Sequence, residues 1–244
     1  MRLRNDPRQY DDLLAEWWKP DGVFAVLHGH AASRAALIPP PPRERSVLVD
    51  VGCGGGANGP HVNGYIHIGV DIRRANAALS AEHGLLGVQG DATALPLADG
   101  CADVVVAGEI LEHVPDWRDA VAEACRVLRP GGTFVVDTLA DTRLCRFVAV
   151  TLGEGVPGGA PRGLHDPSLF VPPQGLLREC AAHGVTLRVW GVRPAAIPLL
   201  RWLTRRVLRR GGGASADAAA RTSVPIVPTR STSILYAGKG VKDA

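Results

Sequence analysis

The chain of 244 residues is 46% apolar and 21% charged, as is ordinary for a globular protein, and its net charge of +3 is too small to indicate nucleic-acid binding. Its five cysteines are odd in number and widely spaced, with no C-x-x-C pair, which argues against a disulfide framework or a zinc knuckle. The N-terminus lacks a secretion-signal pattern and no apolar run approaches the ~18 residues of a membrane span, so we expect a cytoplasmic protein.

Two helical patterns occupy the first part of the chain. DPRQYDDLLAEWWKPDG, residues 6–22, carries leucines and tryptophans on one side and ends at a proline and a glycine. HAASRAALI, residues 30–38, forms a second pattern, and four consecutive prolines stop it because they cannot continue a helix. We therefore expect an N-terminal helical cap over residues 1–42, followed by the main domain over 43–244.

Strand and helix patterns alternate from residue 46 onward. SVLVDVG, IHIGVDI, GLLGVQGD, ADVVVAGE and TFVVDT predict five strands, with a helix from about Pro115 to Leu128 before the fifth. GLLRECAAHGVTLRVWGV predicts a further helix and strand, and STSILYAGKG a last strand. This alternation is typical of an α/β fold with a doubly wound, mostly parallel, seven-stranded sheet, whose ligands lie at the carboxyl ends of the strands.

Two segments interrupt this alternation. Residues 141–175 are rich in glycine and proline and are expected to form a lid, and residues 196–224 form a basic amphipathic insertion. One side of the predicted helix in the insertion is cationic and the other apolar: Arg201, Arg205, Arg206, Arg209 and Arg210 against Leu199, Leu200, Leu203 and Val207. Such a helix indicates peripheral contact with an anionic membrane at its inner face or with an acidic partner; the alternative is a solvated cover on the sheet edge.

A glycine-rich turn follows the first strand in LVDVGCGGGANG, residues 48–59. Glycines Gly52 and Gly54 allow a ligand to approach the backbone, although dinucleotide-binding folds use the same device. Asp50, inside the strand end, would repel a pyrophosphate but suits a cation. Asp71, at the end of the second strand, suits ribose hydroxyls, and Asp91, at the end of the third, suits an exocyclic amine. Together they predict a pocket for a cationic nucleoside without phosphates.

Five motifs in order carry a family resemblance: LVDVGCGGG, GVDI, GDATALPLADGCADVVV, EILEHVPD and ACRVLRPGGTFVVDT. They cover about residues 46–138 and resemble the class I S-adenosylmethionine-dependent methyltransferases. The resemblance implies a Rossmann-like methyltransferase fold and S-adenosyl-L-methionine as the cofactor.

The flanking segments LAEWWKPDGVFAVLHGHAASRAALI and GGAPRGLHDPSLFVPPQGL resemble the polyprenyl-catechol and polyprenyl-quinol O-methyltransferases of ubiquinone biosynthesis. This resemblance implies transfer of a methyl group to a phenol, catechol or quinol hydroxyl of a small aromatic acceptor. Matching by position, it implies that Arg34 pairs with the methionine carboxylate and that Gly52, Asp71 and Gly108 also contact the cofactor.

The segment GEILEHVPD brings candidate catalytic groups to the end of the fourth strand. A phenol, with a pKa of about 10, needs a base or a metal to ionise near neutral pH. If a helix begins here, Glu109, Glu112 and His113 share one face and could hold Mg²⁺ or Zn²⁺, as the family resemblance also suggests. The alternative is that such a segment only orients the helix and contacts the cofactor.

His165, in RGLHD within the expected lid, matches a histidine of the same family and completes the candidate catalytic set with Glu109 and His113. It could serve as a general base or an acceptor contact, or it could be a turn histidine bonded to Asp166. Other acceptors also fit the sequence: a secondary-metabolite or sugar hydroxyl, or an amine. A non-catalytic nucleoside-binding module is a further alternative, whereas nucleic-acid binding is not expected.

Overall fold

The computed structural model describes residues 3–19, 22–155, 160–208 and 224–244. Its α-helices are α1 (Gln9–Asp12), α2 (Ala25–Ala35), α3 (Arg74–Glu82), α4 (Trp117–Val127), α5 (Arg143–Cys145), α6 (Pro173–Ala182) and α7 (Ala196–Leu208). Its strands are β1 (Val47–Val51), β2 (Ile66–Asp71), β3 (Leu86–Gln89), β4 (Ala102–Gly108), β5 (Leu128–Leu139), β6 (Val185–Pro194), β7 (Ile226–Thr229) and β8 (Leu235–Lys242).

The eight described strands form one sheet in the order β3-β2-β1-β4-β5-β8-β6-β7. Strands β1 to β5 run parallel to one another, whereas β8 is antiparallel to both β5 and β6. The doubly wound α/β sheet is therefore confirmed, but the predicted number of seven strands is wrong. The additional strand, β7, pairs with β6 at the sheet edge. It follows the insertion directly and has too few residues to produce a clear apolar pattern.

The centre of the sheet is buried on both faces, which explains the continuous apolar runs of its strands. Val49 and Val51 of β1 pack in the main core, while Leu48 of the same strand packs on the opposite face with Val104 of β4. Strand β1 pairs with β2 on one side and β4 on the other, so the strand order reverses beside it. In folds of this kind ligands bind at that reversal, beyond the carboxyl ends of the strands.

The N-terminal segment differs from the single long helix expected over residues 6–22. It contains the four-residue α1 and a 3-10 helix at Leu14–Glu16, and the next helix, α2, begins at Ala25 rather than near residue 30. The chain bends between these helices because Trp17 turns inward, where its ring stacks on Phe24 with the centroids 4.1 Å apart. Both side chains are buried. Packing of the two rings thus overrides the helical pattern.

The two interrupting segments are more regular than the sequence indicates. The expected lid contains α5, a π-helix at Arg146–Gly153 and a 3-10 helix at Pro167–Leu169. The predicted helix of the insertion is confirmed as α7, although Arg209 and Arg210 lie outside the described residues, as do the side chains of Arg206 and Val207. Among the helices that the structure describes, none combines the length and the apolar character required to cross a lipid bilayer.

Candidate functional site

A cavity of about 860 Å³ opens at the carboxyl ends of the parallel strands. Its lining has two sets of residues: those of the glycine-rich turn after β1, helix α2 and the segment after β4, which we call the inner part, and those of the lid and α7, which we call the outer part. A volume of this size lies at the upper end of the range for ligand pockets, ~300–1,000 Å³.

The glycine-rich turn has several positions that require glycine, among them Gly52 and Gly54. Gly52 and Gly54 have φ angles of +68° and +52°, in the left-handed region that side chains disfavour. A Cβ on Gly52 would also overlap Ile110, and a Cβ on Gly54 would overlap the indole of Trp17. The turn is therefore shaped by packed side chains as well as by any ligand that approaches its backbone.

Asp71 holds the glycine-rich turn against the end of β2. Its carboxylate accepts hydrogen bonds from the backbone N–H groups of Gly54 at 2.9 Å and Arg73 at 2.8 Å, and from Asn76 Nδ2 at 3.2 Å. Burial raises the pKa of Asp71 despite these donors. The side chain lines the cavity, as expected for a group that binds a nucleoside.

The other two predicted acids differ in their exposure. Asp50 is buried, accepts a hydrogen bond from Asn58 Nδ2 at 2.8 Å and lies 3.6 Å from His67 Nε2. Asp91 is exposed at the rim and accepts hydrogen bonds from the backbone N–H and hydroxyl of Thr93, both at 2.8 Å. Both residues line the cavity, Asp50 in its interior and Asp91 at its edge.

Arg34 is buried and paired within the protein. Its Nη1 atom donates to both carboxylate oxygens of Asp137 at 2.9 Å, and its Nε donates to Asn58 Oδ1 at 3.3 Å. The guanidinium passes against Gly108, where a Cβ would overlap it. Glycine is thus required at position 108 to leave room for the Arg34 guanidinium. The partner of Arg34 here is Asp137, which the sequence did not single out.

His30 is a second residue that sequence reasoning missed. It lies one helical turn before Arg34 on α2, and its Nδ1 is 3.2 Å from Asp137 Oδ2 and 3.8 Å from Glu109 Oε1. Burial acts to lower the pKa of His30, but Glu109 and Asp137 together raise it above its ordinary value. The spacing H-x-x-x-R on one helix face could have indicated this pair, whereas only the fold brings Asp137 of β5 to it.

Glu109 occupies a strained position just beyond β4, with a φ angle of +52° that is uncommon for a residue other than glycine. Its backbone N–H donates to Asp137 Oδ1 at 3.1 Å, which ties the turn to β5. Burial raises the pKa of the Glu109 side chain to about 8, while the neighbouring His30 acts to lower it. Within the cavity Glu109 is therefore a carboxyl group that titrates near neutral pH.

Glu112 and His113 do not share a helix face with Glu109, so that prediction is wrong. Only Leu111–His113 forms a 3-10 turn, and Glu109 precedes it. Glu112 is fully buried and accepts a hydrogen bond from Thr138 Oγ1 at 2.7 Å, and burial raises its pKa to about 7. In the described part of the chain, the metal-ligating atoms that lie within 4.8 Å of one another belong to His30, Glu109 and Asp137.

His113 faces the cavity from a polar cage formed by the N-terminal segment. Its Nδ1 lies 2.6 Å from Asn5 Oδ1, Asn5 Nδ2 donates to the His113 carbonyl at 2.8 Å, and Tyr10 Oη lies 3.4 Å from His113 Nε2. Burial lowers the pKa of His113 to about 3. The imidazole is therefore neutral at physiological pH.

His165 joins the lid to this cage. Its ring stacks on that of His113 with the centroids 5.4 Å apart, and its Nδ1 lies 3.6 Å from Glu154 Oε1. The alternative of a bond to Asp166 is wrong, because Asp166 caps the following turn by accepting from Ser168.

The lid is tied to the N-terminal segment as well. Arg4 donates to Glu154 Oε2 at 2.9 Å, and the Asn5 N–H donates to the Gly163 carbonyl at 2.9 Å. Glu154 also accepts from the backbone N–H groups of Gly163 and His165. The first described residues therefore hold the lid over the cavity.

Comparison with known sequences places this site among methyltransferases. Residues 49–136 match the family described as "Methyltransferase domain". A ubiquinone biosynthesis O-methyltransferase of Methylobacterium sp. strain 4-46 is 33% identical over 204 residues, which cover 73% of this chain and 80% of that protein. The protein of the same name from Methylococcus capsulatus is 34% identical over 185 residues, covering 70% of this chain and 76% of the relative.

Solved structures are similar in fold at lower identity. An S-adenosylmethionine-dependent methyltransferase from Thermotoga maritima has a TM-score of 0.66 at 18% identity, covering 97% of this chain and 98% of the other. A geranyl diphosphate C-methyltransferase from Streptomyces coelicolor A3(2) has a TM-score of 0.60 at 16% identity, with 98% and 86% coverage. At such identities the likeness concerns the fold alone.

Proposed function

We infer that this chain, which belongs to the S-adenosylmethionine-dependent O-methyltransferases related to those of ubiquinone biosynthesis, methylates a hydroxyl of a phenol, catechol or quinol that carries an apolar substituent. The family membership rests on relatives of 33% and 34% identity that the chain largely covers. The observation that supports this acceptor class is the composition of the cavity, which has a polar inner part and an apolar outer part.

We assign the inner part of the cavity to the cofactor. The residues proposed to contact it are Arg34, Asp50, Gly52, Gly54, Asp71, Asp91 and Gly108. All seven line the cavity, and the buried carboxylates of Asp50 and Asp71 suit the ammonium and ribose hydroxyls of a cationic nucleoside. When bound, S-adenosylmethionine supplies the methyl group. Arg34 is already satisfied by Asp137, so its charge can assist a ligand carboxylate only if that pairing is shared.

We assign the acceptor hydroxyl to the region of Glu109, His113 and His165. All three line the cavity and stand between its polar and apolar parts. Glu109 can accept the hydroxyl proton, and the caged imidazole of His113, with His165 stacked on it, can orient the aromatic ring.

The expected binding of Mg²⁺ or Zn²⁺ by Glu109, Glu112 and His113 does not fit the described arrangement. Glu112 turns into the core towards Thr138, and His113 is engaged with Asn5 and Tyr10. His30, Glu109 and Asp137 form an alternative set of ligand groups. Both carboxylate oxygens of Asp137, however, already accept hydrogen bonds from the Arg34 guanidinium. No step of the proposed mechanism therefore depends on a metal.

We further propose a peripheral contact with anionic membranes through the outer face of α7. Ile197 and Leu200 are 66% and 63% exposed there, and Arg201 and Arg205 are exposed beside them. An apolar strip bordered by cations suits the surface of an anionic bilayer. Co-sedimentation with phosphatidylglycerol vesicles at low salt tests this contact, and an Ile197→Ser, Leu200→Ser variant should remain in the supernatant. Native protein that fails to sediment would refute it.

An acceptor screen with methyl-labelled S-adenosylmethionine tests the proposed function. Alkyl-substituted catechols and phenols should accept the label on oxygen, whereas sugars should not, because the outer part of the cavity offers few partners for their hydroxyls. Preferential labelling of an amine or a sugar would overturn the proposed acceptor class. Tight cofactor binding without transfer to any acceptor would instead indicate a binding module.

A further inference from the structure

We propose that Trp202, with Leu199 and Leu203, selects the methyl acceptor by forming one wall of a subsite for its apolar substituent. The proposal rests on the function inferred above and assigns this role to α7, within the insertion that follows β6. The three residues lie at positions i, i+3 and i+4 of the helix, so they share one face, and all three line the cavity.

The opposite face of α7 shows that the helix is not simply a cover packed on the sheet. Ile197 and Leu200 point to solvent, 66% and 63% exposed, although they are as apolar as the residues on the cavity face. Trp202, by contrast, is only 7% exposed. The helix therefore buries its large aromatic residue against the cavity and leaves other apolar residues outside.

Trp202 is held against the helix that carries the polar centre of the site. It packs in one cluster with Ala25 of α2 and with Val224, the last residue of the insertion. The Val224 carbonyl touches α2 at Gly29, where there is no room for a Cβ. Because α2 also carries His30 and Arg34, the wall formed by α7 keeps a fixed position relative to the reacting groups.

The lid provides a further apolar wall of the cavity. Its contributions to the cavity include Val148, Ala149, Leu152 and Leu164, and the described side chains of α7, residues 196–205, add no charged group to the lining. A substituent held between these walls must be apolar, since a buried polar group without a partner is disfavoured. An alkyl or prenyl chain on the aromatic ring meets this requirement.

The test compares catechol, butylcatechol and octylcatechol as acceptors at saturating S-adenosylmethionine. For the native enzyme, kcat/KM should rise with chain length, by roughly threefold to fourfold for each methylene buried by the subsite. Trp202→Ala should lower kcat/KM for octylcatechol by about tenfold or more and that for catechol far less. Leu203→Trp, which fills the subsite, should exclude octylcatechol while still accepting catechol.

Thr204→Ala, on the exposed face of the same helix, is the matched control and should leave all three values unchanged. Calorimetric binding of the three catechols in the presence of S-adenosylhomocysteine gives the same length dependence without turnover. A failure of the proposed function would appear as binding that rises with length but without methylation. The subsite proposal is overturned if binding by native protein is independent of chain length, or if Trp202→Ala affects all three acceptors equally.

Discussion

The guanidinium of Arg34 donates to both carboxylate oxygens of Asp137, at 2.9 Å each, and the two side chains are buried on neighbouring elements. This pair joins α2 to β5 immediately beneath the cavity. Burial acts to raise the pKa of Asp137, but Arg34 and His30 hold it below its ordinary value. Arg34 and His30 therefore stabilise the charged form of this carboxylate.

Removing either partner should destabilise the protein strongly. Asp137→Leu should lower the free energy of unfolding by about 3–5 kcal/mol, because the Arg34 charge is then buried without compensation. The double variant Arg34→Met, Asp137→Leu should recover much of that loss, since neither charge of the pair is then left in the core. Chemical denaturation of the native protein, the two single variants and the double variant measures the coupling. The pairing would be contradicted if the loss of unfolding free energy in the double variant equalled the sum of the losses in the two single variants.

Gly54 of the glycine-rich turn can be compared with Gly131 of β5, because both have a positive φ angle. Gly54→Ala should lower the affinity for S-adenosylmethionine by at least about tenfold and destabilise the fold by about 1–3 kcal/mol, because its Cβ overlaps Trp17. Gly131→Ala, at a φ of +71° with no atom within 4 Å of its Cβ, incurs only the backbone strain of about 1 kcal/mol. Calorimetric titration should show unaltered cofactor binding for Gly131→Ala. A similar loss of cofactor affinity in both variants would show that the overlap of the added Cβ with Trp17 is not its cause.

Glu109 and Glu112 should differ in their effect on catalysis. Glu109→Gln should lower kcat by about 100-fold or more, since it removes the group proposed to accept the hydroxyl proton. Glu112→Gln keeps an oxygen for the hydrogen bond from Thr138 and should change kcat only slightly. Cofactor affinity, measured in parallel, should be near the native value in both. A larger kcat effect at position 112 than at 109 would reverse the assignment.

Chelation should leave methyl transfer intact. Turnover of an alkylcatechol after dialysis against EDTA is expected to match that of the untreated enzyme, because Glu112 and His113 are engaged within the protein. Addition of Mg²⁺ or Zn²⁺ should not raise the rate. Loss of activity on chelation, restored by one of these ions, would show that the side chains rearrange to bind metal.

Acid should weaken the packing of the N-terminal cap. Burial lowers the pKa of His28, whose Nε2 lies 2.7 Å from the Trp17 carbonyl, so the folded state binds a proton less readily than the unfolded chain. Its contribution to stability is complete above the unfolded pKa of about 6.5 and is lost as the pH falls towards the folded pKa. Between about pH 7.5 and about pH 5, the free energy of unfolding should depend less on pH in His28→Gln than in the native protein. The same pH dependence in both proteins would show that His28 is not its cause.

The parts of the site that follow strands directly could be predicted from the sequence. Asp50, Asp71 and the glycines adjoin apolar runs whose length and composition leave little ambiguity, and parallel pairing then brings their ends together. Trp17 shows why the cap could not be predicted. Its helical pattern is genuine, but burying an indole against the glycine-rich turn outweighs the continuation of one helix.

Asp137 and His30 escaped prediction for a different reason. Each lies inside an ordinary-looking element, and their roles depend on a contact between residues 107 positions apart. The metal hypothesis depended on a helix beginning at Glu109. The backbone at that residue is left-handed and is fixed by hydrogen bonds to Asp137. The 3-10 turn therefore begins only at Leu111, and Glu112 points into the core.

Asn5 contacts both sides of the cavity entrance, since it bonds to His113 on one side and to Gly163 of the lid on the other. Movement of the lid away from His113 has to break these bonds. Opening steps of this kind limit kcat in many enzymes with lids. Product release should then be slower than methyl transfer, and rapid mixing should reveal a burst of methylated product in the first turnover.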